Sequence, residues 1–161
     1  MNWTGVYPAV TTKFTEDDKL DINSFRFNIA AQVKAGVSGV ILGGTLGEAS
    51  SLTNKEKLVL LDNAIDETSS QVEVIVNIAE QTTKAAVDLA KSLADRGANG
   101  LMVLPPMRYA ADSRETVVYF KEVARASTLP IMIYNNPVDY KIPVTIEMFA
   151  QLLESSHKTV F

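Results

Sequence analysis

Two hydroxyl-bearing side chains of the 161-residue chain stand where chemistry could be done. Thr45 lies in VILGGTLGEASSLT, residues 40–53, just after an apolar run and inside a turn with glycines at 43, 44 and 47. Tyr134 lies in PIMIYNNP, residues 130–137, again where an apolar run stops. Glycines clustered in a turn cost backbone entropy, and something must offset that cost. One explanation is a tight turn and nothing more. Another is the close approach of backbone amides to a small ligand, with the Thr45 hydroxyl aimed at it. A phenol is a weak acid at neutral pH and moves a proton only with help from a neighbouring hydroxyl or cation. A Thr45–Tyr134 hydroxyl relay is therefore the chemistry these stretches suggest, if the fold brings them together. The turn is no phosphate cradle, because no Lys-Ser/Thr follows the glycines and their spacing does not fit G-x-G-x-x-G.

The elements that must position these residues read as alternating strands and helices. Residues 6–11, 39–42, 72–78, 100–104 and 131–134 are apolar at nearly every position, as expected of strands buried on both faces of a parallel sheet. Helical patterns are predicted between and after them, at 22–34, 54–66, 82–96, 114–125 and 146–154. Thr53 with Glu56, and Asp112 with Glu115, have the spacing of capping boxes. Residues 158–161 begin a sixth run. Gly36 and Gly97 end helices in the similar contexts KAGVSGV and DRGANGL, two βα units apart at about 30 residues per unit. Such repetition leaves a doubly wound open sheet or a (β/α)₈ barrel. Either would put Thr45 and Tyr134 at the C-terminal ends of strands, on the rim where βα loops build sites.

Composition narrows the function classes. The chain is 47% hydrophobic with a formal net charge of -4 and no basic run, which argues against nucleic-acid or anionic-membrane partners. It has no cysteine and a single histidine, His157, read as a surface loop residue. Thiol nucleophiles, disulfides and sites needing Cys or two His ligands are excluded, and no metal site is expected. No stretch approaches the roughly 18 apolar residues of a membrane span, and the N-terminus lacks signal-peptide character. A cytoplasmic chain is expected.

Gly-Thr-x-Gly-Glu at 44–48, Tyr-Asn-x-Pro at 134–137 and the opening Gly5-Val6…Thr11-Thr12-Lys13-Phe14 resemble the dihydrodipicolinate synthase / N-acetylneuraminate lyase family, in order and along the whole chain. The resemblance implies a (β/α)₈ barrel, of which residues 1–161 would be the N-terminal portion, ending at the start of strand six. It implies a homo-oligomer, commonly a tetramer, acting on a small 2-oxo acid or cyclic imine. It implies a class I mechanism in which a lysine forms an imine with the 2-oxo group, with no metal or organic cofactor. Thr45 and Tyr134 carry over as the proton-shuttling pair. Gly44, Leu46 and Asn136 carry over as substrate-binding positions. The family's lysine falls a few residues beyond Phe161; Lys158 would enter strand six from the wrong end, and most other lysines are expected to be solvated.

Three departures bear on the substrate. Leu46 stands where synthases have a second threonine. Met107 stands where they place a tyrosine that reaches a neighbouring subunit, with Tyr109 two residues off. Asp139 stands where they have an arginine for a substrate carboxylate, and exchanging cation for anion there should cost several kcal/mol. The combination resembles a branch that deaminates 1-pyrroline-4-hydroxy-2-carboxylate in hydroxyproline breakdown. The alternatives are dihydrodipicolinate synthase itself, another 2-keto-3-deoxy acid aldolase or dehydratase, or a non-catalytic α/β small-molecule binding domain.

Overall fold

The computed structural model describes residues 3–107 and 109–155. Four parallel strands, β1 (Gly39–Leu42), β2 (Glu73–Ile78), β3 (Gly100–Val103) and β4 (Ile131–Ile133), pair in sequential order. The helices α1 (Ile22–Lys34), α2 (Asn54–Thr68), α3 (Thr83–Asp95) and α4 (Ser113–Ala126) alternate with them, and α5 (Pro137–Tyr140) and α6 (Ile146–Ser155) follow. The expected sixth run at 158–161, His157, Lys158 and Arg108 lie outside the described residues.

Side-chain alternation along the strands separates two faces. Val40, Leu42, Val74, Val76, Leu101, Val103, Ile131 and Ile133 join the helices in one core with Phe25, Leu61, Leu93 and Phe120. Ile41, Ile75 and Met102 point the other way, into a smaller cluster with Trp3, Tyr7 and Met132. Both faces are covered, which is why the runs read as continuously apolar. Sequential strand order with helices on one face is that of part of a (β/α)₈ barrel, because a doubly wound sheet reverses its order and carries helices on both faces.

The expected first strand, residues 6–11, is reduced to a single parallel bridge between Ala9 and Ile41. Val10 N–H donates to Ile41 O, and Ile41 N–H donates to Pro8 O, each at 2.9 Å. The next rung would need an N–H at position 8, and proline has none. Both predicted capping boxes form, at Thr53/Glu56 and Asp112/Glu115.

Candidate active site

The site begins one layer above the apolar inner cluster. Two residues beyond Ile41, Ile75, Met102 and Met132 come Gly43, Asn77, Leu104 and Tyr134, all on the same inward face by strand periodicity. With Gly44, Thr45 and Leu46, three of these, Asn77, Leu104 and Tyr134, line a pocket of about 180 Å³ at the C-terminal strand ends. The fold thus gathers Thr45 and Tyr134 from chain segments far apart in sequence around one small cavity. None of the described residues lining this pocket is a lysine.

The glycine turn is clamped at both ends. Asn77 is buried, and its Nδ2 donates to Gly43 O at 2.8 Å. Buried Thr12 donates its hydroxyl to Gly47 O at 2.6 Å. Gly43 has φ +61°, a left-handed conformation that costs glycine little. A Cβ at Gly47 would lie 2.8 Å from Val10 O, so only glycine lets the turn pass this close to residues 6–11. Within the turn, the amides of Gly47, Glu48 and Ala49 donate to the carbonyls of Gly44 and Thr45. Among the described residues the amides of Thr45 and Leu46 take no partner. Two successive amides of this kind are suited to an anionic group such as a carboxylate.

The hydroxyl that Thr45 meets is that of Tyr140, not Tyr134. Thr45 Oγ1 and Tyr140 OH share a hydrogen bond at 3.1 Å. The Tyr134 and Tyr140 rings lie 6.0 Å apart, tilted by 58°. The hydrogen bond expected between Thr45 and Tyr134 is replaced, among the described residues, by one between Thr45 and Tyr140, whose ring lies beside that of Tyr134.

Asn136, expected at the substrate, is occupied locally. Its side chain caps α5, accepting from Asp139 N–H at 3.3 Å and donating to Asp139 Oδ2 at 2.6 Å. Its neighbour Asn135 grips the Val144 backbone in both directions at 3.0 Å. The Asn-Asn pair thus builds the scaffold after β4. Tyr109 is exposed and donates to Glu115 at 3.2 Å, on the first turn of α4. That carboxylate holds its phenol above the usual range. Met107 lines a wider cleft of about 610 Å³ outside the pocket, together with Thr45, Asn77 and Tyr140.

Lys57 departs from the expectation that helix lysines are solvated. It is 5% exposed, lines the same cleft, and donates through Nζ to Glu80 Oε1 at 2.8 Å. Sequence reading also missed Thr12, Asn77 and Tyr140. Each acts through a contact with a residue at least 34 positions away, and no local pattern marks such a partner.

The profile of the dihydrodipicolinate synthetase family matches residues 2–160. A protein described as an uncharacterized DapA-like lyase from Rhizobium meliloti is 32% identical over 160 residues, covering 99% of this chain and 53% of that protein. A 4-hydroxy-tetrahydrodipicolinate synthase from Salinibacter ruber is 36% identical over 137 residues, 85% of this chain and 45% of that enzyme. The crystal structure of YagE, an E. coli K12 prophage protein of the dihydrodipicolinic acid synthase family in complex with pyruvate, superposes with a TM-score of 0.91 at 30% identity, covering 96% of this chain and 52% of that one. The chain spans about half the length of the relatives it matches. On the match along nearly its whole length, the chain belongs to the dihydrodipicolinate synthetase family.

Proposed function

We propose that the protein is a class I lyase that binds a 2-oxo acid, or the cyclic imine derived from one, as a covalent lysine imine. The observation that carries this reading is the small pocket that Thr45 and Tyr134 both line, beside two unpartnered turn amides. The amides suit the carboxylate of a 2-oxo acid, and the hydroxyls suit proton transfer at the carbon next to the imine. Imine formation joins the lysine nitrogen to the carbonyl carbon and releases water, and the imine then withdraws electrons from the adjacent carbon. Its lysine is expected just beyond Phe161. The pyruvate found in the E. coli relative supports the same ligand class.

Within that chemistry we favour deamination and dehydration of 1-pyrroline-4-hydroxy-2-carboxylate over condensation with an aldehyde bearing a second carboxylate. Leu46 gives the pocket an apolar wall where a hydroxyl would suit a second polar substituent. Asp139 lies on α5 bound to Asn136, and an anion there disfavours a dicarboxylate. A tetramer in the cytoplasm, with no metal or organic cofactor, completes the reading.

The test is borohydride reduction of the encoded protein with pyruvate, read by intact mass. A stable adduct is expected, and its absence would leave a non-catalytic binding domain as the better reading. Ammonia release from the hydroxylated pyrroline then separates the deaminase from a synthase, which would instead condense pyruvate with aspartate semialdehyde.

A further inference from the structure

We propose that Tyr140 is a positioning residue for proton transfer, holding the Thr45 hydroxyl in its working orientation and linking it to the outer cleft; the proposal rests on the imine reading above. Thr45 lines both the inner pocket and the outer cleft, whereas Tyr134 lines the first and Tyr140 the second. Tyr140 OH meets Thr45 Oγ1 at 3.1 Å from the cleft side. It therefore bonds the Thr45 hydroxyl on the side that opens to the cleft.

The tyrosine is held in place by its own segment. Pro137 opens α5, Asn136 caps it, and Tyr140 N–H donates to Asn136 O at 3.1 Å. Lys141 then turns left-handed at φ +56°, with its N–H on Pro137 O at 3.0 Å. The two bonds from Asn135 to Val144 close the loop beyond. A single helical turn fixed at both ends presents one phenol to one threonine. An unbonded threonine hydroxyl rotates freely, while a bonded pair is oriented and each bond polarises the next.

The step conserves protons. When Thr45 Oγ1 gives its proton toward the pocket, it takes the one on Tyr140 OH, which is replaced from water in the cleft. Only O–H bonds break and form, and one proton moves inward. The reverse sequence carries one out.

The test uses the encoded protein with pyruvate as probe, in two measurements. Borohydride trapping reads imine formation. Deuterium exchange of the pyruvate methyl group in D₂O, followed by NMR, reads the proton step. Tyr140→Phe keeps the ring beside Tyr134 and removes only the hydroxyl. It should trap pyruvate as the wild type does and slow exchange by about fivefold or more. Thr45→Val should also slow exchange, and the double variant should be no slower than the slower single one, because the residues act as a unit. Exchange by Tyr140→Phe within about fivefold of wild type, losses that multiply in the double variant, or loss of trapping in Tyr140→Phe would each overturn the proposal. A wild type that traps pyruvate without exchanging its protons overturns it as well and leaves the imine reading standing. A wild type that does not trap overturns the imine reading and this proposal together.

Discussion

Asn77 lets the architecture of the turn be tested by two substitutions that differ in a single group. Its side chain is 1% exposed, Nδ2 donates to Gly43 O at 2.8 Å, and Oδ1 has no partner among the described residues. Asn77→Ala removes the donor and leaves the buried carbonyl of Gly43 unpaired, which should cost about 1–3 kcal/mol. The small cavity left by the missing amide adds a smaller amount. Asn77→Asp keeps the volume and changes one NH₂ to oxygen. At neutral pH it sets a carboxylate against the Gly43 carbonyl, so it should cost at least as much as Asn77→Ala. Lowering the pH protonates the new acid, and its O–H can then donate to Gly43 O. Burial and the facing carbonyl raise the pKa of this acid in the folded state, so the native state binds the extra proton first. Its stability deficit therefore shrinks as pH falls through the carboxylate range. Urea unfolding of both variants across pH is the assay. If Asn77→Asp stays within about 0.5 kcal/mol of the wild type at pH 7 while Asn77→Ala does not, the side chain merely fills space and the clamp argument is wrong.

Three further outcomes follow from the structure. Gly47→Ala brings a Cβ to 2.8 Å from Val10 O, and backbone on both sides cannot retreat, so it should destabilise by about 1–3 kcal/mol and lower pyruvate trapping; wild-type stability and trapping would show that the turn is pliable. Glu80→Gln leaves the Lys57 ammonium buried and unpaired at a loss of about 3–5 kcal/mol by urea unfolding, whereas a loss under about 1 kcal/mol would mean the pair is solvated in solution. The Tyr7 phenol, pushed up to about 12 by burial and by its bond to Glu73, binds its proton more tightly folded than unfolded. Stability should hold below the ordinary tyrosine range and fall as pH rises toward 12, and Tyr7→Phe should make that alkaline slope shallower, the remainder coming from the Tyr119 phenol, raised by burial, and the Tyr109 phenol, raised by Glu115.

What was legible in the sequence tracks the range of the interaction that fixes it. The capping boxes at Thr53 and Asp112 are settled by a residue three positions on, and both form. The helix at 22–34 has the predicted bounds, and strands β1 to β4 fall within the predicted runs. Pro8 was visible too, but its consequence depended on which rung of the ladder it would occupy. The partner of Thr45 lies 95 residues away on a single-turn helix that has no periodicity to detect. Read as a motif, Tyr-Asn-Asn-Pro offered Tyr134 and Asn136 as site residues. Folded, the asparagines are spent on capping and on the Val144 backbone, and the next functional hydroxyl comes from a tyrosine six residues later.

The same division separates site positions held by the backbone from site positions free to vary. The glycine turn is fixed by backbone constraints, at Gly47 by contact with Val10 and at Gly43 by the Asn77 clamp, so the amides it presents are set by the fold. Leu46 and Asp139 carry no such constraint: Leu46 is 69% exposed, and Asp139 bonds only within its own turn among the described residues. Substitutions at these two positions should therefore change which acid binds without unfolding the site. Leu46→Thr and Asp139→Arg, alone and together, should leave urea stability within about 0.5 kcal/mol. They should preserve pyruvate trapping and shift preference toward substrates with a second carboxylate, read as the ratio of kcat/KM for aspartate semialdehyde condensation to that for pyrroline deamination. Loss of trapping in Leu46→Thr would show that this position belongs to the imine machinery and not to substrate choice.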